Sequence, residues 1–335
     1  MHKRISRLIV SVVFFSASLA VLAQQELVPL DKDLTTVSYP YEVRFHEFIS
    51  QTQPMKMAYM DAQPGNYNGK NVLLLHGKNF NGAYWETTIA ALTRKGYRVI
   101  VPDQVGFGKS TKPGSYQYSF HQLASSTKNL LDRLEIEKTT VLGHSMGGML
   151  ATRFALMYPE TVEKLVLENP IGLEDYKTLA SYQTVDQGYE SELKNTHERY
   201  KNYQLQFYYD NQWKPEYDRW LNLLAGWTLH DDYPVIAWNA ALTSDMIFTQ
   251  PVVYEFKNIH VPTLLIIGTR DRTAIGKDRA PAAVQPTMGL YNELGKETAR
   301  QIPDARLVEL DDVGHLPHIE VFDRFIGPLL DFLKE

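Results

Sequence analysis

The chain contains no cysteine. That excludes disulfide bridges and a lipid-modified N-terminal cysteine, but leaves the compartment open, because an exported protein need not carry disulfides. There is no block of like charge, and the net charge is only −5 over 335 residues. This balance argues against nucleic acid or an anionic membrane surface as the main partner. No internal repeat and no low-complexity linker interrupts the chain. The histidines show no H-E-x-x-H or comparable spacing, so no metal is implied. Asp103-Gln104-Val105-Gly106-Phe107-Gly108-Lys109-Ser110 superficially suggests a phosphate loop. It has neither the P-loop spacing nor the full G-x-G-x-x-G fingerprint, reads instead as a turn shaping the wall of a site, and implies no cofactor.

Long hydrophobic runs are also scarce. One stands at the N-terminus, Leu8 to Leu22, preceded by His2, Lys3, Arg4 and Arg7 and followed by Val21-Leu22-Ala23 and polar Gln24-Gln25. A basic stretch, a short apolar run and a small-residue cleavage site are the three parts of a signal peptide. The run is short of the roughly 20 residues a membrane helix needs. The expectation is a signal peptide over 1–23 and an exported chain, periplasmic or extracellular, with no stable membrane insertion once the signal is removed.

What is present is ordinary globular composition, 44% hydrophobic and 22% charged, enough to bury a full core in one domain. After an extended leader over 24–40, strands are expected at Val43 to Ile49 and Met55 to Asp61. Asn71-Val72-Leu73-Leu74-Leu75, a continuous apolar run ending in His76-Gly77, has the pattern of a strand buried on both faces. A helix from Trp85 to Lys95, a strand over 97–101, a helix from Phe120 to Leu134, a strand at Thr139 to Leu142, a helix from Met149 to Met157 and a strand at Leu165 to Leu167 follow. Such alternation predicts an α/β fold with a mostly parallel, doubly wound sheet. From Ile171 to about Val253 the chain turns polar, aromatic and helix-like, and the alternation resumes at Val261. The expected organisation is a core over 41–170 and 254–335 with a helical insertion over 171–253.

Gly143-His144-Ser145-Met146-Gly147 fits G-x-S-x-G between a strand and a helix. On such a strained turn Ser145 is presented as a nucleophile at the C-terminal edge of the sheet, and the amide of Met146 faces a developing oxyanion. A serine hydroxyl needs a base. His315, in Asp312-Val313-Gly314-His315 beyond the last strand, is the candidate, with His318 in a supporting place. Asp271, in Gly268-Thr269-Arg270-Asp271 after a core strand, is the candidate acid that orients the imidazole, and Glu168, ending the neighbouring strand, is the alternative. His76-Gly77-Lys78-Asn79 follows the first buried strand. There the second oxyanion amide is expected from Lys78, or next from Asn79, and His76 is expected to brace the loop.

His76-Gly77, Asp103 to Ser110, Gly143 to Gly148, Asp271 and Gly314-His315 together resemble the α/β-hydrolase superfamily, in the serine-nucleophile branch with a helical cap inserted in the core. The resemblance runs from about Tyr41 to the end. Ser145 stands where similar epoxide hydrolases and haloalkane dehalogenases place an aspartate, and dienelactone hydrolases use the cysteine this chain lacks. His76-Gly77-Lys78-Asn79 departs from the H-G-G-P-G loop of proline iminopeptidases. The resemblance therefore implies cleavage of an ester, lactone or thioester of a small, moderately hydrophobic substrate through an acyl-enzyme. Carbon–carbon bond hydrolysis or perhydrolase activity on the same triad is the alternative, as is a ligand-binding or sensing protein with slow turnover. Of the insertion aromatics, Tyr182, Tyr203, Phe207, Tyr208, Trp213, Trp220, Trp227 and Trp238 supply the pool from which a pocket lining would be drawn. Substrate identity and oligomeric state are left open by the residues.

Overall fold

The computed structural model describes residues 27–335, and the signal-peptide assignment to 1–23 lies outside them. Strands β1 (Val43–Ser50), β2 (Gln53–Ala62), β3 (Asn71–Leu75), β4 (Arg98–Pro102), β5 (Thr139–His144), β6 (Val162–Glu168), β7 (Thr263–Gly268) and β8 (Ala305–Leu310) form one eight-stranded sheet in the order β1-β2-β4-β3-β5-β6-β7-β8. β2 runs antiparallel to both neighbours, and every pairing from β4 to β8 is parallel.

The unbroken apolar runs have a physical reason. Successive side chains point to opposite faces, and both faces are covered. Val72, Leu74, Leu142, Val166, Leu264 and Ile266 pack with Ile89 and Leu92 of α1 (Glu86–Arg94) and Phe325 and Leu329 of α11 (Phe322–Lys334). Leu73, Val141, Leu165, Leu167, Leu265 and Ile267 pack on the other side. Their partners are α2 (Phe120–Arg133), α3 (Met146–Met157) and Tyr291 of α9 (Tyr291–Gln301).

Between β6 and β7 the chain forms α4 (Tyr176–Leu179), α5 (Val185–Glu192), α6 (His197–Phe207), α7 (Asp218–Gly226) and α8 (Tyr233–Thr249), with no strand in that stretch. Residues 27–40 cross over α7 and α8. Leu30 and Leu34 are buried among Leu224, Trp227 and Ile236, and the Trp227 indole donates to the Asp31 carbonyl at 3.0 Å. The Lys109 ammonium donates to the Leu34 carbonyl, and the Tyr39 hydroxyl to the Asp103 carboxylate at 2.7 Å. This segment thereby ties the insertion to the core.

The strand order reverses at β3, whose neighbours are β4 and β5. Connections leaving β3 and β5 diverge to opposite sides there, which opens a crevice beyond their C-terminal ends. The segment His76 to Asn79 leaves β3 at that edge, and Ser145 leaves β5 beside it. Among the described residues no helix is long and apolar enough to cross a membrane.

Candidate active site

Ser145 joins β5 directly to α3 with φ 56° and ψ −122°, a conformation that costs a non-glycine residue on the order of 1–3 kcal/mol. Its neighbours make that turn feasible. A Cβ on Gly143 would overlap the Gly147 carbonyl, and one on Gly147 would overlap the Leu75 carbonyl of β3. Met146 is the first residue of α3, so its amide is among the N–H groups that a helix start leaves free for an anion.

The Ser145 hydroxyl lies 2.9 Å from His315 Nε2, and His315 Nδ1 lies 2.6 Å from Asp271 Oδ2. All three residues are buried. Asp271 is held in turn: the Asn169 side-chain amide donates to Oδ2 at 2.9 Å and the Thr273 amide to Oδ1 at 2.8 Å. A carboxylate accepting these bonds fixes His315 with its proton on Nδ1, which leaves Nε2 as acceptor for the serine hydroxyl.

Glu168, the alternative acid, does not reach His315. Its Oε1 accepts from the His318 amide at 2.9 Å and from His318 Nδ1 at 2.8 Å. The reason is strand parity. Glu168 shares the face of Val166, towards α11, and the next residue, Asn169, is the one directed at Asp271. His318 braces Glu168, with its ring stacked on Trp85 at 4.3 Å.

Two histidines serve the loops. His76 Nδ1 donates to the Gly77 carbonyl at 2.9 Å, within the loop it was expected to brace, and its Nε2 accepts from the Gln104 amide at 3.0 Å, which also ties in the turn after β4. His144 Nε2 donates to the His315 carbonyl at 2.8 Å. That leaves His144 Nδ1 to accept from the Tyr84 hydroxyl at 3.0 Å, while Tyr84 accepts from the Gly77 amide at 3.0 Å. One chain of bonds thus runs behind Ser145 from the loop after β3 to the loop bearing His315. Burial, with His315 and His318 nearby, holds His144 well below the usual imidazole range, hence neutral.

A cavity of about 360 Å³ opens onto Ser145, with Lys78 and Asn79 at its edge. Ile171, Ile247, Ile275 and Phe207 give it an apolar side, and Glu192 and Lys277 a polar one. Of the eight insertion aromatics, Tyr203, Phe207 and Tyr208 line it. Trp220 and Trp227 are buried in packing, Trp213 lies against Tyr209 and Tyr217, Trp238 donates to Gly114, and Tyr182 is 55% exposed. The turn from Asp103 to Ser110, expected in the site wall, takes no part in the lining. The Asp103 carboxylate draws it inward by accepting from the Gly82 and Lys109 amides, each at 2.7 Å.

Sequence reasoning named Tyr208 only as a possible lining residue, without its contact to His315, and passed over Tyr200, which also lines the cavity, Asn169, Tyr84 and the role of His144. For Asn169 the signal was available, as the first residue past a core strand beside a candidate acid.

The family model for the α/β hydrolase fold matches residues 70–321. The chain belongs to the α/β-hydrolase family. A crystal structure from Pseudomonas aeruginosa, named a probable hydrolytic enzyme, is similar to this α/β-hydrolase at 51% identity with a TM-score of 0.91, covering 93% of this chain and all (100%) of that one. Lipase 1 of Psychrobacter immobilis is 27% identical over 80% of this chain and 77% of the lipase. An uncharacterized protein of Mycobacterium tuberculosis is 38% identical over 106 residues, 32% of this chain but only 30% of that relative's length.

Proposed function

We propose that this α/β-hydrolase is a serine hydrolase that cleaves a carboxylic ester or related acyl bond of a small, moderately hydrophobic substrate through an acyl-enzyme. The observation that carries the reading is the unbroken path Ser145–His315–Asp271, at 2.9 Å and 2.6 Å, beside a cavity of about 360 Å³. The volume falls within the usual range for small-molecule sites, and the apolar side of the cavity suits the acyl or alcohol part of such a substrate.

Ser145 Oγ attacks the carbonyl carbon as His315 Nε2 takes the hydroxyl proton. The oxyanion is held by the Met146 amide and by the Lys78 amide of the neighbouring loop. Collapse breaks the bond to the leaving alcohol, which departs with the proton from His315. Water then attacks the acyl-enzyme, giving its proton to His315, and the acid is released as Ser145 recovers its hydrogen. Asp271 keeps the imidazole oriented throughout, through its contact with His315 Nδ1. No step calls on a cofactor or metal. The basic, apolar and small-residue pattern of the first 23 residues supports an exported site of action.

The test is pre-steady-state hydrolysis of p-nitrophenyl acetate and butyrate. The expected result is a burst of p-nitrophenol that approaches one equivalent of enzyme, abolished in Ser145→Ala. Steady ester hydrolysis that survives in Ser145→Ala would overturn the reading.

A further inference from the structure

Tyr208 follows α6 at the base of the helical insertion and touches the active site in three ways. Its ring stacks on the His315 imidazole with centroids 4.6 Å apart and planes 26° apart. Its hydroxyl accepts from the Asn79 side-chain amide at 3.0 Å. Its carbonyl accepts from the His315 amide at 3.2 Å. Gly314 lets that carbonyl approach, since a Cβ there would overlap the Tyr208 oxygen. Tyr208 is itself 4% exposed and lines the cavity beside Ser145.

The loop after β3 is held by the insertion at the preceding residue as well. Lys78 Nζ lies 3.4 Å from Glu192 Oε1 at the end of α5. Glu192 is in turn fixed by Asn195 at 2.6 Å and by the Tyr233 hydroxyl, which donates to the Glu192 carbonyl at 2.7 Å. Consecutive residues of the loop proposed to bind the oxyanion are therefore held by two separate parts of the insertion, the end of α5 and the residue that follows α6.

From this arrangement we infer that Tyr208 is a positioning residue for acylation, setting the face of His315 and the place of the Lys78-Asn79 loop together, so that the insertion is part of the machinery rather than a wall around it. The inference rests on the serine-hydrolase reading. A ring lying flat on an imidazole restricts its rotation and meets the imidazolium formed during attack with its electron-rich face. A hydroxyl pinning Asn79 keeps the adjoining Lys78 amide at a fixed distance from Ser145. A misplacement of about 1 Å in such a group is enough to cost on the order of 100-fold in rate.

The experiment measures inactivation by a fluorophosphonate, separating the limiting rate constant from the binding constant, for wild type, Tyr208→Phe, Tyr208→Leu, Asn79→Ala and Asn79→Ala/Tyr208→Phe. Melting curves confirm that each variant is folded. Tyr208→Phe keeps the ring and loses the hydroxyl with its bond to Asn79, so the limiting rate falls about 3- to 10-fold, the value of one neutral hydrogen bond. Asn79→Ala reproduces that loss, and the double variant adds nothing to it. Tyr208→Leu loses the ring too and falls at least about 30-fold, with the binding constant moved far less. Limiting rates equal to wild type, a loss carried by the binding constant alone, or additive losses in the double variant would overturn the inference. Failure of the wild type to label on Ser145 would instead overturn the serine-hydrolase reading, so the two failures are distinct.

Discussion

His144 occupies the variable position inside G-x-S-x-G, and its ring lies behind Ser145, bonded to the His315 carbonyl and to Tyr84. Its neutrality makes a pH prediction. Burial lowers its folded-state affinity for a proton, whereas in the unfolded chain it binds one near pH 6.5. Below that pH the unfolded state holds more protons, so stability rises with pH up to about 6.5 and is lost as pH falls, by up to about 1.4 kcal/mol per pH unit for this group. Urea unfolding at pH 7 and pH 5.5 should therefore show a shallower pH dependence in His144→Gln than in wild type. Equal slopes would show that His144 titrates alike in both states. At this scale Ser145 and His315, which the fold brings to 2.9 Å, were legible from their motifs. The contact of Tyr208 with His315 was not, because a single tyrosine in the aromatic-rich stretch Tyr203 to Tyr217 carries no sign of the imidazole it will meet.

At the scale of elements, β6 and β7 end side by side, each with a carboxylate near its tip, and alternation decides between them. Glu168 is still inside β6, where parity turns it towards α11 and His318. Asp271 lies three residues past β7, in a turn free of the alternation, where Asn169 and Thr273 hold it under His315. Two isosteric substitutions should then behave oppositely. Asp271→Asn should cut kcat for p-nitrophenyl butyrate by about 10⁴-fold through the wrong histidine tautomer. Glu168→Gln should leave kcat within about 10-fold and act mainly on stability, since it weakens a buried bond worth about 1–3 kcal/mol. A larger kcat loss in Glu168→Gln than in Asp271→Asn would contradict the assignment. The strands themselves were readable because burial on both faces writes continuous apolar runs into β3, β4 and β7. The expected parts of the insertion were readable only as helix-like, since packing of α5, α6 and α8 over the cavity depends on contacts far apart in sequence.

Across the whole molecule, the site gathers Lys78, Ser145, Asp271 and His315 from four separate connections at one edge of the sheet, and closes the cavity with residues of the insertion. The reversal of strand order between β4-β3 and β3-β5 explains why the crevice falls there. The α/β alternation foretold such an edge, while the shape of the cavity came only from the assembled fold. The most direct measurement of the central claim is to treat the purified protein with a fluorophosphonate and map the adduct by peptide mass spectrometry, with Ser145→Ala alongside. A single adduct on Ser145, absent from Ser145→Ala and slowed in His315→Gln, is the predicted result. An adduct on another residue, or none on folded wild-type protein, would contradict an activated serine at this site.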